Sequence, residues 1–152
     1  MRRRHLLALL PAALLTRPAL AQTYEVSHTE AEWRALLSDA QFRVLRLSGT
    51  EAPNTSPLTD EQRAGTYHCA GCALPLYASA TKFESGTGWP SFWQPLDNAV
   101  ATQPDAGLLG LRTEVHCRRC GGHLGHVFTD GPPPTGLRYC MNGLALTFTA
   151  SA

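Results

Sequence analysis

Residues 121–146 read GGHLGHVFTDGPPPTGLRYCMNGLAL. Strand-like runs, His126–Thr129 and Arg138–Met141, flank a loop stiffened by Pro132–Pro134, and a third run follows at Leu144–Thr149. From Thr66 on, the chain is made of such short runs broken by Gly and Pro, which suggests a small antiparallel β domain with helices at its N-terminal side. The segment also carries the chemistry. Cys140 lies between Arg138 and Asn142, and in a strand these three side chains share a face. A fixed cation beside a thiol favours the nucleophilic thiolate. A buried structural cysteine is the competing reading, because free Cys is among the most buried residue types. His123 and His126 are three apart. In a regular strand they face opposite sides, so a shared site requires a bulge or bend, expected at Gly125.

The other four cysteines form two pairs, Cys69-Ala-Gly-Cys72 and Cys117-Arg-Arg-Cys120, separated by 44 residues. Two CxxC knuckles make a tetrahedral thiolate site, predicted to hold one structural Zn²⁺ that pins two distant hairpins together. Two disulfides, or redox-active pairs, are the alternatives. Four cysteine ligands leave no open position for catalysis on the metal. His68 and His116 adjoin the knuckles and read as outer or surface residues. Cys140 is thus the one thiol left for chemistry.

Upstream, residues 22–48 read as helical. Thr29 and Glu32 suit a capping box, Ser38-Asp39 suits a break or second cap, and Trp33, Leu36, Leu37, Phe42, Val44 and Leu45 supply an apolar face. Residues 49–65 read as loop, with a helical turn at Thr59–Arg63. Strands are further expected at Thr66–Cys69 and Gly110–Val115. Phe83–Trp93 (FESGTGWPSFW) sets aromatics on a Gly-Pro loop, which suits either a pocket wall or core anchors.

Residues 1–21, MRRRHLLALLPAALLTRPALA, have a basic start, a short apolar stretch and an Ala-Leu-Ala end. This predicts a signal peptide, with Arg3-Arg4 also fitting twin-arginine export, and hence a protein exported to a bacterial periplasm. The apolar run is too short for a membrane span, so no stable membrane association is expected after cleavage. Residues 22–152 form a single domain. Residues 1–21 hold four of the 13 basic residues and no acid, so the remainder carries nine basic against 12 acidic residues, net −3. No basic run remains, which excludes nucleic acid as the expected partner.

CAGC, KFESGTGWPSFW, CRRC and GGHLGHVFTDGPPPTGLRYCMN, in that order, closely resemble the methionine sulfoxide reductase B family, over residues 29–148. The resemblance implies a mainly β (α+β) fold, with two antiparallel sheets, N-terminal helices and a four-cysteine zinc site away from the active site. It implies reduction of the R epimer of methionine sulfoxide in proteins. Cys140 then attacks the sulfoxide sulfur and becomes a sulfenic acid, His126 donates a proton with His123 beside it, Arg138 and Asn142 orient and polarise the site, and Trp89 and Phe128 contact the substrate. Two departures stand out. Thr87 occupies the position where many members carry a recycling cysteine, so an external thiol reductant, such as a thioredoxin-like protein, is expected. The usual CINSASL reads Cys140-Met141-Asn142-Gly143-Leu144-Ala145-Leu146. A non-catalytic zinc-stapled binding module, or a thiol-disulfide oxidoreductase using the CxxC pairs, are the rival classes.

Overall fold

The computed structural model describes residues 23–107 and 110–152; the proposed leader lies outside them. Among the described residues, two helices come first, α1 (Glu30–Leu36) and α2 (Asp39–Leu47). Each begins with a capping box, Thr29 with Glu32 and Ser38 with Gln41, which satisfies amides that the helix itself cannot. Such caps stabilise by about 1 kcal/mol each. Trp33, Leu37, Phe42, Val44 and Leu45 are buried as the pattern requires, but Leu36 is 62% exposed. Trp33 and Leu37, four apart, take the inward stripe, which leaves Leu36 on the outward side of the last turn.

Among the described residues nine strands follow: β1 (Gly65–Cys69), β2 (Pro75–Ala78), β3 (Lys82–Phe83), β4 (Ser91–Phe92), β5 (Val100–Gly107), β6 (Gly110–Cys117), β7 (His123–Phe128), β8 (Arg138–Met141) and β9 (Leu146–Ala150). They form two antiparallel sheets, one ordered β2-β1-β9 and the other β3-β4-β8-β7-β6-β5. The expected helical turn at Thr59–Arg63 is absent. The Glu61 carboxylate instead accepts from both the backbone and the guanidinium of Arg63, two residues on, a local bonding pattern that competes with helix. Leu144, expected in the last strand, lies in a 3₁₀ turn at Gly143–Ala145 that precedes β9.

The core lies between the sheets. Tyr67 and Tyr77 from the smaller sheet meet Phe92 from the larger, with Tyr77 stacked on Phe92 at 4.3 Å and Tyr67 edge-on at 4.9 Å. All three are fully buried. The Tyr77 hydroxyl donates to the Met141 sulfur at 3.1 Å, so its polar end is not stranded. The α2 helix lies against β7 and the 143–145 turn, and the Arg46 guanidinium donates to the Cys120 carbonyl at 3.0 Å. The helices thereby brace the cysteine knuckles and the central strands together.

The ladder between β6 and β7 is irregular. Val115 pairs with Gly125 and His116 with His123, so Leu124 is the extra residue of a bulge. A bulge shifts side-chain parity by one. His123 and His126 therefore share a face, with rings 5.4 Å apart. The expected bend exists, but Leu124 rather than Gly125 supplies it. Gly125 serves a different need: a Cβ there would collide with the Cys140 carbonyl across the β7–β8 pair.

Candidate active site and metal centre

β8 places Cys140 directly opposite His126 of β7 and Ser91 of β4. Pleating then puts Cys140, His126, Phe128 and Arg138 on one face. A cavity of about 140 Å³ opens there, lined by Thr50, Trp89, Arg112, Gly125, His126, Phe128, Cys140, Met141 and Asn142. The apolar walls come from Trp89 and Phe128. The Trp89 indole N–H donates to the Glu51 carbonyl at 3.2 Å, which fixes the plane of the ring. The aromatic segment thus divides its labour, with Phe92 in the core and Trp89 at the cavity.

Each histidine has a carboxylate. His126 Nε2 lies 2.8 Å from Asp105 Oδ2, and the same oxygen accepts from Arg112 at 2.6 Å. These two contacts hold the Asp105 carboxyl below its usual range, the His126 contact contributing most. His123 Nδ1 lies 2.6 Å from Glu114 Oε1, while Gln103 donates to the other Glu114 oxygen. Burial alone pushes the Glu114 carboxyl up, but the bonds from Gln103 and His123 together outweigh it, and the carboxyl sits below its usual value. Burial pushes His123 toward its neutral form in spite of Glu114. His123 is buried, and its Nε2 has no partner among the described residues. His126 is the ring that faces the cavity.

Arg138 makes a two-pronged pair with Asp130, at 2.9 and 2.8 Å, and lies 4.4 Å over the Phe128 ring. Asp130 is the main reason its guanidinium is held above the ordinary range; Cys140 is a smaller one. Asn142 lies just past the end of β8. Its backbone and side-chain N–H groups both donate to the Leu124 carbonyl, at 2.8 and 3.1 Å, and its Oδ1 accepts from the Glu51 amide at 2.9 Å. That amide side chain fastens the bulge from which the two histidines project.

Cys140 is half-buried, and its Sγ lies 3.8 Å from Thr87 Oγ1. Thr87 is linked in turn to Ser85 and Ser85 to Ser91, each at 2.8 Å. A chain of hydroxyls therefore backs the thiol.

Cys69, Cys72, Cys117 and Cys120 converge elsewhere, with all four sulfurs within 4.8 Å of one another. Cys69 and Cys120 are 3.7 Å apart and Cys72 and Cys117 3.5 Å. The edge of a tetrahedron with metal–sulfur bonds of about 2.3 Å is about 3.8 Å, so the quartet is spaced for a metal rather than for sulfur–sulfur bonds. The turn after Cys120 passes through Gly121 at φ 69°, a left-handed conformation in which a side chain would also strike the Tyr24 ring. None of the four cysteines lines the Cys140 cavity. His116 beside the second knuckle is buried, with no partner for either ring nitrogen among the described residues.

The SelR domain matches residues 37–150. This chain belongs to the SelR-domain family. Among similar proteins, the peptide methionine sulfoxide reductase MsrB of Pseudomonas putida is 54% identical over 125 residues, covering 82% of this chain and 94% of the relative. The MsrB proteins of Leptospira interrogans serovar Lai and Agrobacterium fabrum are 52% and 48% identical; each match covers 82% of this chain, and 96% and 93% of the relatives. Within this SelR domain, the residues singled out from sequence fall into two clusters. Cys140, His126, His123, Trp89, Phe128, Arg138 and Asn142 surround or support the cavity, and the four remaining cysteines form a separate quartet that could hold a metal. Sequence reading missed Glu51, Asp105, Arg112 and Glu114. Arg112 and Glu114 had a signal: two apart in an expected strand, they must share a face, and register sets them beside the histidines. Asp105 belongs to a strand that was not expected at all.

Proposed function

We propose that this protein reduces the R epimer of methionine sulfoxide in oxidised proteins to methionine, with Cys140 as the nucleophile. The observation that carries this reading is the pairing of the single cysteine outside the metal quartet with His126, directly across the β7–β8 ladder in a cavity walled by Trp89. The relatives' names point to the same chemistry.

The Cys140 sulfur attacks the sulfoxide sulfur. Oxygen leaves a sulfur centre poorly until it is protonated, and His126 is the donor at hand. Asp105 holds the His126 ring by Nε2. The sum is transfer of one oxygen atom: the sulfoxide becomes a thioether and the Cys140 thiol becomes a sulfenic acid. Trp89 and Phe128 enclose the apolar methyl group, and Arg138 and Asn142 hold the strand and bulge in place. An external thiol then attacks the sulfenic acid, releasing water and leaving a mixed disulfide, and a second thiol resolves it.

The metal centre takes Zn²⁺ on Cys69, Cys72, Cys117 and Cys120, where it supplies a cross-link between the β1–β2 and β6–β7 turns and takes no part in the chemistry. Residues 1–21 direct the chain out of the cytoplasm to a periplasm, where a thioredoxin-like domain is the reductant. The basic start, short apolar stretch and Ala-Leu-Ala end support that placement.

The test is turnover of the separated R and S epimers of a peptide-linked methionine sulfoxide. Turnover of R with little of S is expected, and Cys140→Ser should abolish it. Retained turnover in Cys140→Ser would sink the assignment.

A further inference from the structure

Resting on the reductase reading, we propose that Glu51 is the positioning residue that holds the acid, the nucleophile strand and the pocket wall in register. Glu51 touches none of the reacting atoms. It is a carboxylate only 8% exposed, and no cation pairs with it among the described residues. A buried carboxylate without a cation is costly unless hydrogen bonds hold it. Here backbone supplies them: Oε1 accepts from the Gly143 amide at 2.5 Å and Oε2 from the Leu144 amide at 2.9 Å. Those amides open the turn that directly follows the Cys140 strand.

The main chain of Glu51 reaches the other two walls. Its N–H donates to Asn142 Oδ1, and its carbonyl accepts from the Trp89 indole. Asn142 passes the restraint on through its two bonds to the carbonyl of Leu124, the bulge residue two positions before His126 that brings His123 onto the same face. One residue on the 49–64 loop therefore joins the substrate wall, the end of the Cys140 strand and the histidine bulge.

Removing the carboxylate leaves the buried Gly143 amide and the half-buried Leu144 amide without their partners. The turn relaxes, Asn142 moves with it, and the Leu124 carbonyl loses its fixed partner. The damage falls on the distance between Cys140 and His126, to which the chemical step is sensitive, and only weakly on substrate affinity. Gln keeps one acceptor of the two, so Glu51→Gln is the milder variant and Glu51→Ala the severe one.

The experiment is single turnover of R-sulfoxide by excess enzyme, together with amide hydrogen exchange at Gly143 and Leu144. The rate constant and the amplitude separate two explanations. A purely structural role lowers the fraction of active protein and hence the amplitude; a positioning role lowers the rate constant of the molecules that react. Expected are faster exchange at both amides, a graded fall in rate constant reaching about 100-fold in Glu51→Ala, and a KM that changes far less than kcat. If Glu51→Ala does not fold, Glu51→Gln carries the test, with a fall of about tenfold expected by the same reasoning. An active wild type matched in rate constant by the variants overturns this role alone, as does unchanged exchange at Gly143 and Leu144. An inactive wild type overturns the reductase reading and this role with it.

Discussion

Thr87 Oγ1 lies 3.8 Å from Cys140 Sγ, within reach of the thiol but unable to form a disulfide with it. After one turnover without reductant, Cys140 should therefore persist as a sulfenic acid. Dimedone should label it in the wild type. In Thr87→Cys the new thiol should capture it, so labelling is lost and an intramolecular disulfide appears by mass spectrometry. Wild-type labelling undiminished in Thr87→Cys would show that this loop does not reach the oxidised sulfur.

The metal quartet should fail differently. Chelation, or Cys→Ala at position 69, 72, 117 or 120, should release one zinc and unfold the domain, because structural metal binding is coupled to folding. Circular dichroism and metal analysis on the same samples check this. Native protein with two disulfides and no bound zinc would contradict it.

For the acid, His126→Asn should lower the single-turnover rate by about 100- to 10,000-fold while zinc content and melting temperature hold. Asp105→Asn should cause a smaller loss, since it frees the ring without removing it. A wild-type rate in His126→Asn would transfer the acid role to His123.

Stability should fall on the acid side of neutrality. Burial depresses His123 below its ordinary value of 6.5. An unfolded chain then takes up the proton more readily than the folded one. The stability tied to neutral His123 is complete above about pH 6.5 and is lost as pH falls below it, toward the lower folded value. Glu114 is also depressed and acts in the same direction, lower on the pH scale. The melting temperature should drop between pH 7 and 5, and less steeply in His123→Asn, with zinc content followed at each pH. An equal slope in wild type and variant would assign the loss to other groups.

Much of this is legible in the sequence. Capping boxes, CxxC knuckles and short runs between Gly and Pro are local signals, so the helices, the cysteine quartet and most of β7 and β8 can be read from spacing. The strands that went unseen, Pro75–Ala78, Lys82–Phe83, Ser91–Phe92 and Val100–Gly107, are short, contain proline or lie among glycines. Their strand character comes from neighbours in the sheet rather than from their own sequence. Glu51 was invisible for a similar reason, since its partners are about 90 residues away in the chain. The His123–His126 spacing calls for a bulge and glycine points to position 125, whereas the register assigns the extra position to fully buried Leu124.

That extra position makes segment length matter as much as side-chain identity. Removing any single residue between His123 and His126 would restore an unbroken ladder, and one histidine would swing to the opposite face of the sheet. Substitutions of Leu124 cost packing alone; a one-residue deletion exchanges inside for outside. In a library of variants, the 123–126 stretch should accept some changes of letter and no change of count.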